Sequence, residues 1–254
     1  MFFPEMVTQI KDHYRVLEIG PGALPHPRAD VALELDYASE EERIRQRGES
    51  TQKVDTSNIV YFNGGRFPFD DMQFDYVICS HVLEHIPPEG LDEFLSELQR
   101  VAPRGYVEVP NVFYEWICNA SAHIWAAGWN NGTLTLCLKN DTMNGPIADA
   151  YRHFFYTTEP RLIELFRKYR DFFFIGFEWE ETVTVAVVDH VNDLCDGPYL
   201  ERMKSVRANP EALPPPVYKA ALRCTKRGVA WTIQKLLGDG SLQRIKQILK
   251  VGRH

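Results

Sequence analysis

Short apolar runs broken by glycine, proline and polar clusters dominate most of the chain. Val16–Ile19 and Val31–Leu35 are such runs, and they predict buried parallel strands. The first stops abruptly at Gly20-Pro21-Gly22, where two glycines let the backbone turn sharply and approach a ligand. Ile59–Phe62, Tyr76–Cys79 and Tyr106–Val109 predict three further strands. Between the last two, Leu91, Phe94, Leu95, Leu98 and Val101 recur at helical spacing, and Pro103 ends the helix. Ser39–Lys53 is densely charged and reads as a solvated helix or loop. The link between the first two strands is short and carries Pro25 and Pro27, so a clipped turn is expected there instead of a helix.

Residues 112–157 read as an insertion. Ile124–Trp129 and Thr133–Leu138 flank Asn130-Asn131-Gly132, a hairpin signal. Phe113, Tyr114, Trp116, Trp125 and Trp129 could wall a pocket or simply pack the hairpin onto the body. Arg161–Tyr169 predicts a helix, and Phe172–Phe177 with Thr182–Val188 predicts two closing strands, so the domain is expected to run from residue 1 to 189. Residues 190–254 then read as a helical, basic extension: Pro214-Pro215-Pro216 makes a rigid break, and Tyr218–Leu249 reads as two amphipathic helices. The whole is an α/β architecture, a doubly wound, Rossmann-like sheet of seven strands with the last antiparallel, plus a hairpin insertion and a helical C-terminal tail.

Composition narrows the class. At 254 residues, 44% hydrophobic and 25% charged, the chain suits one large domain with an appendage. The five cysteines are odd in number and scattered, the first residues show no signal-peptide pattern, and no apolar run approaches a membrane span. A cytoplasmic protein with reduced thiols is expected. The net charge of −7 divides into +8 from Val217 onward and −15 before it. An acidic body argues against nucleic acid in the main cleft, while the basic tail could meet an anionic membrane face or a protein partner.

The candidate chemistry lies where strands end. Glu18 precedes the glycine turn and Asp36 closes the second strand, where an acid takes ribose hydroxyls in nucleotide-binding sheets; Glu34 is the fallback. The third glycine of the dinucleotide fingerprint is missing. After the fourth strand comes Ser80-His81-Val82-Leu83-Glu84-His85, a cluster of polar residues at a strand tip, as a site would require.

Arg15–Asp36 resembles motif I of the class I S-adenosylmethionine-dependent methyltransferases, in their small-molecule branch, and the resemblance extends from about Tyr14 to Asp189. It is closest to a bacterial subgroup with Gly-Pro-Gly followed by Pro-His-Pro-Arg-Ala-Asp-Val, associated with surface-polysaccharide biosynthesis. The resemblance implies S-adenosylmethionine as cofactor, held by Glu18, Gly20, Pro21, Gly22, Asp36, Asn63, Gly64, Ser80 and His81. Asn63 stands where the family carries an Asp for the adenine amino group; its side-chain oxygen can still accept that hydrogen bond without the charge.

The implied reaction is methyl transfer to a small molecule or glycan, O-methylation of a sugar above all, with His81, His85 or His153 handling the proton. Related methyltransferases with Glu-x-x-Glu-His at this position bind a divalent metal. Here His81, Glu84, His85 and His153 are the corresponding candidates, a set suited to zinc, although a metal-free site is the favoured expectation. The alternatives are a degenerate cofactor-binding partner subunit and a nicotinamide-dependent nucleotide-sugar oxidoreductase.

Overall fold

The computed structural model describes residues 1–22, 25–47, 58–139 and 162–209, together with 147, 150, 153 and 154. The expected tail helices, Pro214–Pro216 and most of residues 140–161 lie outside the described residues.

The apolar runs become β1 (Val16–Ile19), β2 (Val31–Leu35), β3 (Ile59–Phe62), β4 (Tyr76–Ser80) and β5 (Arg104–Pro110), which pair with one another in parallel. Every residue of β1 and of β4 is buried, as continuous apolar runs at a sheet centre should be. β4 shows why both faces need cover: Tyr76 and Ile78 enter one core cluster, Val77 and Cys79 the other. Helix α1 (Glu40–Arg47) follows β2, and helix α2 (Leu91–Val101) covers the second face with Leu91, Phe94, Leu98 and Val101. The first face is covered by Phe3 of the N-terminal segment, Cys118 of α3 (Val112–Cys118), and Leu162 and Phe166 of α4 (Leu162–Lys168).

Strand β8 (Phe174–Glu180) pairs antiparallel with β5. Among the described residues the main sheet then has six strands, in the order β3-β2-β1-β4-β5-β8. The seventh strand expected near Thr182–Val188 is displaced. Only Val185–Val187 is extended, and this β9 pairs in parallel with β7 (Thr133–Leu138) of the hairpin. With β6 (Trp125–Asn130), these two strands form a separate three-stranded sheet. The hairpin itself turns as expected, with Asn131 and Gly132 at φ +51° and +78°, the left-handed pair a two-residue turn needs. No helix occurs among the described residues between β1 and β2.

The compact unit extends to Ala208, beyond the boundary expected at Asp189. Residues after 189 fold back over the hairpin: Thr135 Oγ1 donates to Leu194 O at 2.6 Å, and Asn130 Nδ2 to Asp193 O at 2.8 Å. Gly128 permits this approach, because a Cβ there would lie 2.2 Å from Leu194 O. Helix α5 (Gly197–Ser205) then buries Tyr199 and Met203.

Most of the insertion aromatics pack. Trp125 is buried and its indole N–H donates to Ile86 O at 2.7 Å. Trp129 meets Phe177, Phe113 meets Phe172, and Tyr114 meets Phe166. Trp116 is exposed. Cys79, Cys118, Cys137 and Cys195 are free thiols.

Candidate active site

Parallel pairing puts the ends of β1, β2, β3 and β4 on one edge of the sheet, so residues far apart in sequence meet there. Gly20 and Gly22 take φ values of +60° and +61°. A Cβ on Gly20 would stand 2.6 Å from Val82 Cγ2, so this turn is pressed against the segment after β4. A Cβ on Gly22 would meet nothing within 4 Å, so the backbone there borders open space. Pro21 between them is buried.

Asp36 is exposed at the tip of β2, its N–H held by Phe62 O at 2.8 Å. Glu34 is buried and turned to its own segment, accepting from Leu35 N–H and the Tyr37 hydroxyl at 3.1 and 3.3 Å. Asp36 is therefore the acid presented at this edge. Asn63 and Gly64 are exposed after β3. An adenosyl ligand fits this set: open space beside Gly22, an exposed carboxylate one strand away and an exposed amide beyond it. Glu18 is buried and accepts from His26 N–H, just beyond the glycine turn, at 2.7 Å; burial pushes its carboxyl up to about 7, against that hydrogen bond.

The segment after β4 is the charged centre. His81 has φ +59°, unusual for a residue with a side chain and the kind of backbone outlier that gathers at functional sites. Its Nε2 lies 2.9 Å from Glu108 Oε1, and its Nδ1 lies 3.4 Å from Glu84 Oε1. Burial opposes charge on the ring, but the two carboxylates outweigh it and raise its pKa to about 9. His81 is thus charged at neutral pH, which suits it poorly to the proton-accepting role expected of it.

Glu108, in the middle of β5, is fully buried. It accepts from Phe2 N–H, Phe3 N–H, Ser80 Oγ and the Tyr106 hydroxyl, at 2.7, 3.0, 3.0 and 2.7 Å. Burial disfavours its charge, yet His81 and these donors hold its pKa at about 2. Ser80 is therefore committed to Glu108.

Glu84 is also fully buried, and neither of its oxygens has a hydrogen-bond partner among the described residues. Beside it stand two imidazoles. His85 Nδ1 lies 3.1 Å from Ala122 O, and His123 Nδ1 lies 2.5 Å from the buried carboxylate of Glu115. Lys139 Nζ donates to the other oxygen of Glu115 at 2.9 Å. Burial lowers the pKa of His85 and favours its neutral ring.

Glu84, His85 and His123 each offer a ligand atom within 4.8 Å of the others. His81 and His153 are not members of this group, and His153 is exposed. Sequence reasoning found Glu84 and His85 but missed His123, Glu115 and Glu108. The readable signal was an acid inside an apolar run: Tyr-Val-Glu-Val at 106–109 and Phe-Tyr-Glu-Trp-Ile at 113–117.

A family model described as a methyltransferase domain matches residues 23–108, from just after the glycine turn to Glu108. A search of curated protein sequences finds no match. Among solved structures, the chain is similar to the YcgJ protein of Bacillus subtilis, with 23% identity over 44% of this chain and 52% of that one, at a TM-score of 0.30. It is also similar to an S-adenosylmethionine-dependent methyltransferase of Mesorhizobium loti, with 17% identity over 61% and 68%, at a TM-score of 0.31. The chain spans about half the length of the first of these, 52%, and at such values the likeness is no evidence of shared activity. Residues 23–108, which run from just after the glycine turn through β2, β3 and β4 to Glu108 of β5, are thus the part of the chain that is similar to a methyltransferase domain.

Proposed function

We propose that the protein transfers a methyl group from S-adenosylmethionine to a hydroxyl of a small molecule or glycan, with a sugar of surface-polysaccharide biosynthesis as the acceptor class. The observation that carries this reading is the imidazole–carboxylate group of Glu84, His85 and His123, two of whose members closely follow Val82, the residue packed against Gly20 of the glycine turn. A hydroxyl must lose its proton to become a good nucleophile, whereas a neutral amine need not, and a buried imidazole–carboxylate group is suited to that task.

Bound S-adenosylmethionine supplies an electrophilic methyl group on a sulfonium. The residues of this chain do the rest. Gly20 and Gly22 would let the backbone approach the cofactor, Asp36 would accept from its ribose hydroxyls and Asn63 from its adenine amino group. The group after β4 aligns the acceptor oxygen for an in-line displacement, where positioning supplies much of the acceleration.

Incubating the protein with labelled S-adenosylmethionine and candidate glycans tests the proposal. A product heavier by one methyl supports it, and its failure to appear with every hydroxylated acceptor counts against it. Cofactor binding without any turnover would favour a partner subunit instead. Binding of nicotinamide dinucleotide in its place would revive the oxidoreductase reading.

A further inference from the structure

We propose that Glu84, His85 and His123 hold a divalent first-row metal ion, zinc or one like it, through one carboxylate oxygen and two imidazole nitrogens. The starting point is an unused ligating capacity. Glu84 is fully buried, yet neither oxygen accepts a hydrogen bond from a described residue; His81 Nδ1 and His123 Nε2 stand off at 3.4 and 4.0 Å. The charged His81 ring offsets part of the carboxylate's charge while its Nε2 lies against Glu108, and the oxygens of Glu84 keep lone pairs that a bound cation can take.

The histidines are prepared for the same role. In each ring Nδ1 faces an acceptor, Ala122 O for His85 and Glu115 for His123. That arrangement puts the proton on Nδ1 and leaves the Nε2 lone pair free, and it is the outer contact that orients metal-binding histidines. Lys139, 2.9 Å from the far oxygen of Glu115, keeps that carboxylate from turning to the metal itself. The two rings stand edge to face, with centroids 4.8 Å apart and planes at 88°.

The three donor atoms lie within 4.8 Å of one another. Around zinc, with bonds of about 2.0–2.2 Å, tetrahedral donors sit roughly 3.4 Å apart, so closure needs side-chain movements of about an ångström. Three protein ligands leave one position open, the arrangement of sites that act on a bound oxygen. The third ligand comes from neither candidate outside the Glu84-His85 pair, His81 or His153, but from the turn before the hairpin. The chain positions that turn through Ile124 N–H to Glu84 O at 2.8 Å and Trp125 to Ile86 O. The inference refines the proton-handling role proposed above, but its geometry is independent of the acceptor, and so is its test.

Cobalt(II) serves as the probe, because its visible absorption reports coordination by nitrogen and oxygen donors. The full chain, stripped with chelator, is titrated with cobalt, and zinc affinity is read by displacement. One equivalent with visible bands is expected, lost at least about 100-fold in affinity in His123→Ala and in the size-conserving His123→Gln. Glu115→Gln should weaken binding about 10–100-fold, as removal of an outer carboxylate does. Calorimetry with S-adenosylmethionine on the same variants reports folding and the cofactor pocket, which does not contain His123. Absence of cobalt bands in the unaltered chain, or unchanged cobalt affinity in His123→Gln, would overturn the site while leaving methyl transfer untouched.

Discussion

At the scale of single residues, buried acids carry most of the consequences. Glu18 holds its proton up to about pH 7 in the folded chain, against 4.5 for the ordinary group. Its contribution to stability is therefore full below pH 4.5 and disappears as pH rises through about 7. Chemical denaturation across that window should show stability falling by up to about 3 kcal/mol, with the slope flattened in Glu18→Gln. Equal slopes in the two proteins would refute the assignment. Glu108 does the reverse service for His81. In chelator-treated Glu108→Gln the histidine titration, followed by NMR, should move down from about 9, because one of its two carboxylates is gone. Glu18 and His81 were visible in the sequence as residues at strand ends. Glu108 was not, because its importance comes from Ser80, Tyr106, Phe2 and Phe3 converging on it through the fold.

At the scale of elements, the strands of the main sheet were legible because both-face burial demands continuous apolar runs, and α2 was legible from its helical spacing. Leu98, fully buried on α2, should cost about 2–5 kcal/mol when replaced by Ala, read by denaturant titration. The partner of Val185–Val187 was not legible. A three-residue apolar run carries no information about which edge it joins, and here β7 offers one in the hairpin sheet. The latch of residues 190–196 onto the hairpin was equally hidden, since it rests on the missing Cβ of Gly128 and on bonds to the backbone at Asp193 and Leu194. Gly128→Ala should lower stability by about 1–3 kcal/mol through that clash, with the loss measured in the same way.

At the scale of the whole molecule, the described residues form one compact unit to Ala208, and no helix among them is long and apolar enough to cross a membrane. The +8 tail from Val217 onward is expected to carry the full chain onto anionic vesicles, and a chain ending at Pro216 should stay in the supernatant. Equal sedimentation of the two would remove that role from the tail. The proposed reaction rests on S-adenosylmethionine binding at the edge formed by Gly20, Gly22 and Asp36. Calorimetric titration of the full chain tests it most directly. One cofactor per chain is expected, with no binding to Gly22→Val and binding weakened by about 1–3 kcal/mol in Asp36→Ala. No heat of binding to the unaltered chain, or the same affinity in all three proteins, would contradict it.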